Sequence, residues 1–361
     1  MAKFLDVVTL LEDRIRRGDY AISKFPGERG LASEVGVSRM TARKALKHLA
    51  QRGLLPAPAR GTRRAVGRVP KVRQLAFLMP PVVSHEVQHR QRGVELAAAS
   101  FGVVVRSVVY AHWSDVLIDE VLGGFDGVFL MQMGLPMPQD VLAKLRAAPV
   151  PVVSLDHDLS GEGIVSVEFF PRRGVHDLLD QVAAMGHRRI ACLNSYPLPN
   201  HNIEQRIADW QEWTIERGLG GELVNQPHAA DHVTGATAAE GAYHATHRLL
   251  AHGGFKDTAL LCTALWTALG ATRAMQELGV RVGRDLSVCV VNDEALGPWL
   301  NPRLTALQAA DAVVLLAPCV DWMLRGGVGW LGPLLVTPRR ATLFIGESTG
   351  APAGRPSVAS E

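Results

Sequence analysis

Residues 25–55, "FPGERGLASEVGVSRMTARKALKHLAQRGLL", decide how the chain begins. Glu28 to Val35 carries a short helical pattern, Val35-Gly36-Val37-Ser38 reads as a tight turn, and Ser38 is placed to cap a following helix. In that helix Ala42, Ala45, Leu46 and Leu49 form one apolar stripe, while Arg39, Thr41, Arg43, Lys44 and Lys47 project elsewhere. Upstream, Leu5, Val8, Leu11 and Ile15 recur at helical spacing, with Gly18 as a stop. Downstream, "LLPAPARGTRRAVGR" reads as two short strands around Arg60-Gly61, a hairpin wing with a basic tip. Two short helices joined by a glycine turn, the second offering polar and basic residues from its first turns, fit a major groove. The free N–H groups at the start of that helix also attract phosphate.

The formal net charge of +3 conceals a division. Residues 1–73 hold 17 Lys and Arg against 6 Asp and Glu, and the remainder holds 21 against 29. A basic head on an acidic body points to a polyanionic partner for the head, the bland alternative being a solvated face. All seven Trp lie in the body, which argues against a head that stacks on single strands. The 361 residues, 47% hydrophobic and 20% charged, suffice for two or three domains of ordinary globular composition. No run reaches ~18 apolar residues and the N-terminus mixes acidic with apolar side chains, so neither a membrane span nor a signal peptide is expected. Cys192, Cys262, Cys289 and Cys319 stand singly in apolar segments, as buried thiols of a cytoplasmic protein would.

From Arg73 onward strand and helix patterns alternate: "LAFLMP", "EVQHRQRGVELAAAS", "VVVRSVV", "WSDVLIDEVLG", "DGVFLM", "PQDVLAKLRAA", "PVVSL". After "LSGEG" the rhythm restarts with "GIVSV" and runs through "RRIACLN", "TALLCT" and "LSVCVV". Apolar strands in such alternation imply parallel sheets covered on both faces, with ligands at the carboxyl ends of the strands.

The head resembles the winged-helix domain of GntR-type transcription regulators, whose pattern runs P-S-E-R-x-L-A, G-V-S-R-x-T-V-R-x-A-L, G-L and G-x-G-T. Gly27 replaces the usual Ser, and Met40 stands where a polar residue is common. The resemblance implies DNA contacts at Arg29, Ser38, Arg39, Thr41, Arg43, Arg60 and Gly61, with Lys44 and Lys47 open to phosphate contact or solvation. The body, through "AAMGHRRIACL", "ALGATRAMQELGVRVGRDLSVCVVND", "LNPRLTALQ" and "LFIGESTG", resembles the effector domain of LacI-type repressors, which shares its fold with periplasmic sugar-binding proteins. A GntR-type head on such a body is an arrangement similar to arabinose-responsive repressors. By motif position the resemblance implies effector contacts at Asp156, Phe169, Arg206 and Asn292, with Phe169 placed to stack on a sugar face. Ala264-Leu265 occupy the family's Asn-Asp, Asn292 its Asp, and Gly346 its Arg.

Four other motifs compete for attention. His85-Glu86-Val87-Gln88-His89 spells the zinc-protease H-E-x-x-H, but no third ligand follows at the extended spacing. The resemblance puts this helix start at the effector cleft, so His85 and Glu86 are read as cleft residues, against plain solvent exposure or a regulatory metal held by His85 and His89. Gly327 to Gly332 spells G-x-G-x-x-G with helix and strand in the wrong order. Gly346 to Gly350 spells G-x-S-x-G with no helix behind it. His244, His247 and His252 read as solvated.

The expectation is therefore an α/β protein with an N-terminal winged helix-turn-helix (1–68), a linker (69–74) and a two-lobed body of two doubly wound parallel sheets (75–347). Lobe 1 is expected at about 75–158 plus 295–325, lobe 2 at about 162–292 plus 330–347, and a disordered tail at 348–361. The expected function is a ligand-responsive regulator, most simply a repressor. Its partners are a palindromic double-stranded operator, a sugar-like effector and a second copy of the chain, with no cofactor, metal, membrane or catalytic role. The alternatives are a constitutive DNA-binding protein with a degenerate cleft and a zinc hydrolase using His85, Glu86 and His89.

Overall fold

The computed structural model describes residues 2–16, 19, 25–52, 54–55, 73–81, 84–132, 136–226, 237–251 and 255–352. Among the described residues the head forms three helices: α1 (Ala2–Arg16), α2 (Glu28–Val35) and α3 (Arg39–Gln51). Their apolar stripes meet in one core of Val7, Val8, Leu11, Leu31, Ala42, Ala45 and Leu49, all buried. Gly36 ends α2 at φ 64°, a left-handed conformation that a side chain resists. That lets the Val37 N–H reach back to the Ala32 carbonyl and turn the chain at once into α3. Ser38 then caps α3, its hydroxyl accepting from the Thr41 N–H at 3.1 Å. Ser38→Ala is expected to remove about 1 kcal/mol from the stability of the head, read in chemical denaturation followed by circular dichroism. An unchanged midpoint would refute the cap.

The first sheet takes β1 (Gln74–Met79), β2 (Val104–Val109), β3 (Gly127–Met131), β4 (Val152–Leu155) and β5 (Val165–Val167), interleaved with α4 (His85–Ala99), α5 (Val116–Gly124) and α6 (Gln139–Arg146). The second takes β6 (Ile190–Asn194), β7 (Leu223–Asn225), β8 (Ala259–Cys262), β9 (Ser287–Val291) and β10 (Thr305–Gln308), interleaved with α7 (Gly174–Ala184), α8 (His201–Arg217), α9 (Ala238–Ala251) and α10 (Leu265–Glu277). The chain then forms α11 (Ala312–Leu324), β11 (Leu335–Val336) and β12 (Thr342–Phe344). Strand orders are β11-β5-β4-β3-β1-β2 and β12-β10-β9-β8-β6-β7. Among the described residues every strand pairing is parallel except β10 with β12. Because both faces of each sheet are covered, β3, β4, β6, β8 and β9 are buried at every position.

The two-lobed plan is as expected, but three strands change lobes. Val165–Val167, read as the opening of lobe 2, pairs with β4 in the first sheet. Thr305–Gln308, read as lobe 1, pairs with β9 in the second. Leu335–Val336, read as lobe 2, returns to the first sheet beside β5. Apolar alternation marks a strand as buried without saying beside which neighbour it is buried.

The chain consequently passes between lobes after β5, after β10 and after β11, and these passages are bonded to one another. Glu168 N–H donates to the Val336 carbonyl at 3.0 Å, and Ala310 N–H to the Phe169 carbonyl at 2.9 Å.

Positions 348–350, expected to open a disordered tail, are instead bonded into the second lobe. Ser348 is fully buried: its hydroxyl accepts from the Thr305 N–H at 2.8 Å and donates to the Val288 carbonyl at 2.6 Å. The Gly350 carbonyl accepts from His187 Nε2 at 2.8 Å. The hydroxyl of the G-x-S-x-G match is thus spent on joining β9 to β10. Gly346 stands where an Arg was expected because a Cβ there would lie 2.2 Å from the Arg303 carbonyl oxygen. Among the described residues, no helix is long and apolar enough to cross a membrane.

Candidate functional site

Two constellations emerge, one on the head and one between the lobes. On the head, Arg29, Ser38, Arg39, Met40, Arg43 and Lys44 are exposed and Thr41 is partly so. Thr41 and Ser38 share a hydroxyl–hydroxyl bond of 2.9 Å. Glu28, at the start of α2, gathers two of the arginines: Arg39 Nε lies 3.2 Å from one of its oxygens and Arg43 Nε 3.7 Å from the other. Both guanidinium side chains stay more than 60% exposed, so Glu28 orients them without consuming them. The expected wing, with Arg60 and Gly61, lies outside the described residues.

Between the lobes, the residues that follow β4 and β9 carry the chemistry. Asp156, one residue past β4, has φ 55°, and Asn292, Glu294 and Ala295, just past β9, have φ of 65°, 51° and 60°. Four non-glycine residues in the left-handed region at two strand ends mark backbone held in an unfavourable state by its surroundings.

Asp156 receives two bonds from Arg90, Nε to Oδ2 at 2.6 Å and Nη2 to Oδ1 at 3.1 Å. Arg90, on α4 and 3% exposed, also reaches Glu86 Oε1 at 3.4 Å. Burial opposes its charge, but the facing Asp156 and Glu86 carboxylates outweigh that and hold the guanidinium protonated. Glu86 extends across the seam. Asn292 Nδ2 donates to its Oε1 at 2.9 Å, and Arg206 Nη2 stands 3.9 Å away. Arg206, from α8, donates to the Thr263 carbonyl at 2.8 Å. The start of α4 in lobe 1 is thereby clasped to the ends of lobe 2 strands.

Sequence reading placed Asp156, Arg206, Asn292 and Glu86 in this cleft, and the structure brings these four together. His85 is exposed and forms no part of the clasp in any contact found among the described residues. Phe169 requires a correction: its ring is fully buried with the Arg90 guanidinium 3.8 Å above its centroid, so that face is unavailable to a sugar. Ala264 caps α10 without any side-chain bond and Leu265 is buried, so the start of α10 brings no polar group.

Two participants went unread. Arg90 lies four residues after Glu86 on the same helix face, a spacing that signals an ion pair. Glu294 lies two residues past Asn292 in a loop that strand-end logic marks as a ligand position. Glu294 is 7% exposed, and its Oε2 is buried with no hydrogen-bond partner. Burial, followed by the nearby Glu86 carboxylate, pushes its pKa up to about 7, against the pull of Arg206 and Arg90. Burial and Glu294 likewise raise the Tyr196 phenol. At the cleft edge, burial and then Asp158 and Asp156 push Glu168 up to about 6.

In the H-E-x-x-H match Glu86, which a zinc hydrolase would need beside a metal-bound water, is instead turned into the clasp. Among the described residues no group of three or more His, Cys, Asp or Glu is placed to hold a metal ion. The G-x-G-x-x-G match follows α11 and precedes β11, the reverse of a dinucleotide turn.

Comparison with known proteins matches residues 4–64 to the gntR family of bacterial regulatory proteins. Residues 179–313 match the periplasmic binding protein-like domain. The lactose operon repressor of Escherichia coli K12 is 30% identical over 221 residues, 59% of this chain and 58% of its own length. The chain therefore spans little more than half of that relative. The transcriptional regulator GntR of the same organism is 22% identical, covering 79% of this chain and 87% of its own. Among solved structures, the lac repressor dimer bound to operator and the anti-inducer ONPF superposes with a TM-score of 0.61. It has 22% identity and covers 77% of this chain and 94% of its own. A LacI family regulator from Weissella paramesenteroides with bound glucose gives a TM-score of 0.61 at 18% identity, covering 77% and 99%. These last two share the fold.

Proposed function

We propose that this chain, which joins a head of the gntR family of bacterial regulatory proteins to a periplasmic binding protein-like body, is a transcription regulator whose grip on double-stranded DNA is set by a small molecule held between its lobes. The observation that carries this reading is the clasp. Charged side chains from both lobes converge on strand ends whose backbone is held in the left-handed region, away from the basic face of α3. A ligand that favours one lobe angle shifts the molecule by its differential affinity, typically ~1–3 kcal/mol of coupling.

In this reading α3 enters the major groove. Arg39 and Arg43 reach bases or phosphate, while Arg29, Ser38, Thr41 and Lys44 hold the backbone. Asp156, Arg206, Asn292 and Glu86 face the effector, with His85 at the rim. The protein works in the cytoplasm, and two copies pair to match a palindrome. Exposed Val104 and Val109 on the edge strand β2, with Leu96 and Phe101 beside it, support such pairing. The relatives named above are a repressor and a transcriptional regulator, which supports a role without catalysis, and the lac repressor is seen as a dimer bound to operator.

The test is binding to the DNA upstream of the chain's own coding sequence, titrated with salt, with and without sugars. Salt-sensitive, sequence-selective binding that a ligand changes is the expected result. Arg43→Ala should weaken operator binding by about 1–3 kcal/mol and leave ligand-induced stabilisation intact, and Arg206→Ala should show the opposite split. Equal loss of both properties in either variant would refute the assignment. Buried Leu265 and uncapped Ala264 favour a second reading, a constitutive regulator with no ligand. A silent thermal-shift screen alongside intact operator binding would select it.

A further inference from the structure

Among the described residues, each charged group in the interlobe clasp has an identifiable partner except one. Arg90 is committed to Asp156 and Glu86 and stacked on Phe169. Arg206 is committed to the Thr263 carbonyl and leans on Glu86. Asp293 accepts from the Ala295 and Gly297 N–H groups and from Gln308 Nε2, at 3.1, 3.2 and 2.8 Å. Among the described charged groups of the clasp, Glu294 alone has a buried oxygen with nothing to accept from. An unpaired buried acceptor is costly and is relieved by any partner that supplies a donor.

The partner's charge follows from what surrounds it. Glu86 from α4 and Asp293 from its own loop repel the Glu294 carboxylate. Arg90 from α4 and Arg206 from α8 attract it but are already occupied, and the Tyr196 phenol lies within their field. An anionic ligand would find both arginines engaged and carboxylates facing it. A neutral hydroxyl would satisfy Oε2 but leave the Glu86–Glu294 repulsion in place. An ammonium group satisfies the oxygen and cancels the repulsion.

We propose that the effector carries a protonated amine that seats against Glu294 and Glu86, which makes it an amino sugar or a similarly hydroxylated amine rather than a neutral sugar or a sugar acid. This rests on the regulator reading above and narrows its ligand. Seating the amine on Glu86 competes with the Asn292 and Arg206 contacts that close the clasp, so the same event that recognises the charge resets the contact between lobes.

The test uses the full chain at pH 7.5 in thermal-shift and calorimetric titrations. Glucosamine, galactosamine and mannosamine are each set beside the neutral parent and the uronate. The expected result is that at least one amine raises the melting temperature and binds at least ~10-fold tighter than its neutral and acidic counterparts. In Glu294→Gln, verified as folded by circular dichroism, that preference should shrink to within ~2-fold. Glu86→Gln provides the same reading should Glu294→Gln fail to fold.

Equal or better binding of a neutral sugar or a uronate would overturn the inference, as would a preference that survives both substitutions or silence from all the amines. A neutral sugar or uronate that binds and alters operator affinity would do so while leaving the regulator reading standing. Absence of salt-sensitive operator binding would remove that reading itself.

Discussion

Asp156→Ala is expected to destabilise the body by about 3–5 kcal/mol, the range for stranding one member of a buried ion pair. Arg90 is 3% exposed and both its hydrogen-bonding arms toward the seam end on Asp156. With the carboxylate gone, its nearest anion is Glu86 at 3.4 Å, itself shared with Asn292 and Arg206. The guanidinium can neither reach water nor lose its proton. Asp156→Asn should lose less, because an amide oxygen still accepts and Asn tolerates the φ of 55° found here. Adding Arg90→Met to Asp156→Asn should recover part of the deficit by removing the stranded charge. Chemical denaturation of the single and double variants measures all three. A loss below ~1 kcal/mol for Asp156→Ala would mean that the Arg90–Asp156 pair does not organise the cleft.

The second large effect depends on pH. Glu294 titrates near 4.5 when unfolded and near 7 when folded. Between those values the folded protein keeps a proton that the unfolded chain has released, so stability falls as pH rises through this window and stays low above it. At ~1.4 kcal/mol per pH unit of separation, the penalty at pH 8 is on the order of 3 kcal/mol. Glu294→Gln carries no such proton. Relative to the native protein it should melt at nearly the same temperature at pH 5 and several degrees higher at pH 8, with the difference opening between pH 5 and 7. Taking the difference between the two proteins removes the parallel titration of Glu168. A gap that is constant across this range would show that Glu294 is not the buried acid described.

The described helices of the head were legible almost to the residue. The α2 span, the Gly36 turn and the Ser38 cap are local devices, each declared by residues within four positions of one another. The two-lobed body was legible as an alternation, since doubly covered parallel strands have an unmistakable apolar run. What the sequence concealed was long-range. Whether Val165–Val167 joins β4 or opens a new sheet depends on contacts with β11, some 170 residues away.

The same holds for the cleft. Motif position placed Asp156, Arg206, Asn292 and Glu86 there, but Arg90 covering Phe169 reverses what the aromatic ring can do. Glu294 was invisible because nothing local distinguishes an unpaired buried carboxylate from a solvated one. Asn292 looked like the loss of an acid, yet the structure puts an acid two positions later and bonds the Glu294 N–H to the Asn292 amide oxygen at 3.2 Å.

The passages between the halves of the body lie side by side and are laced together through Glu168, Phe169, Ala310 and Val336. A single connecting strand would permit swivelling in any sense; several adjacent strands resist shear and twist and leave the gape as the softest movement. In the proposed regulator, occupancy of the cleft is thereby reduced to one coordinate before anything outside it can respond. Chemically unlike occupants that prop the halves to the same opening are equivalent to the rest of the molecule, and discrimination among them has to be completed at the seam itself.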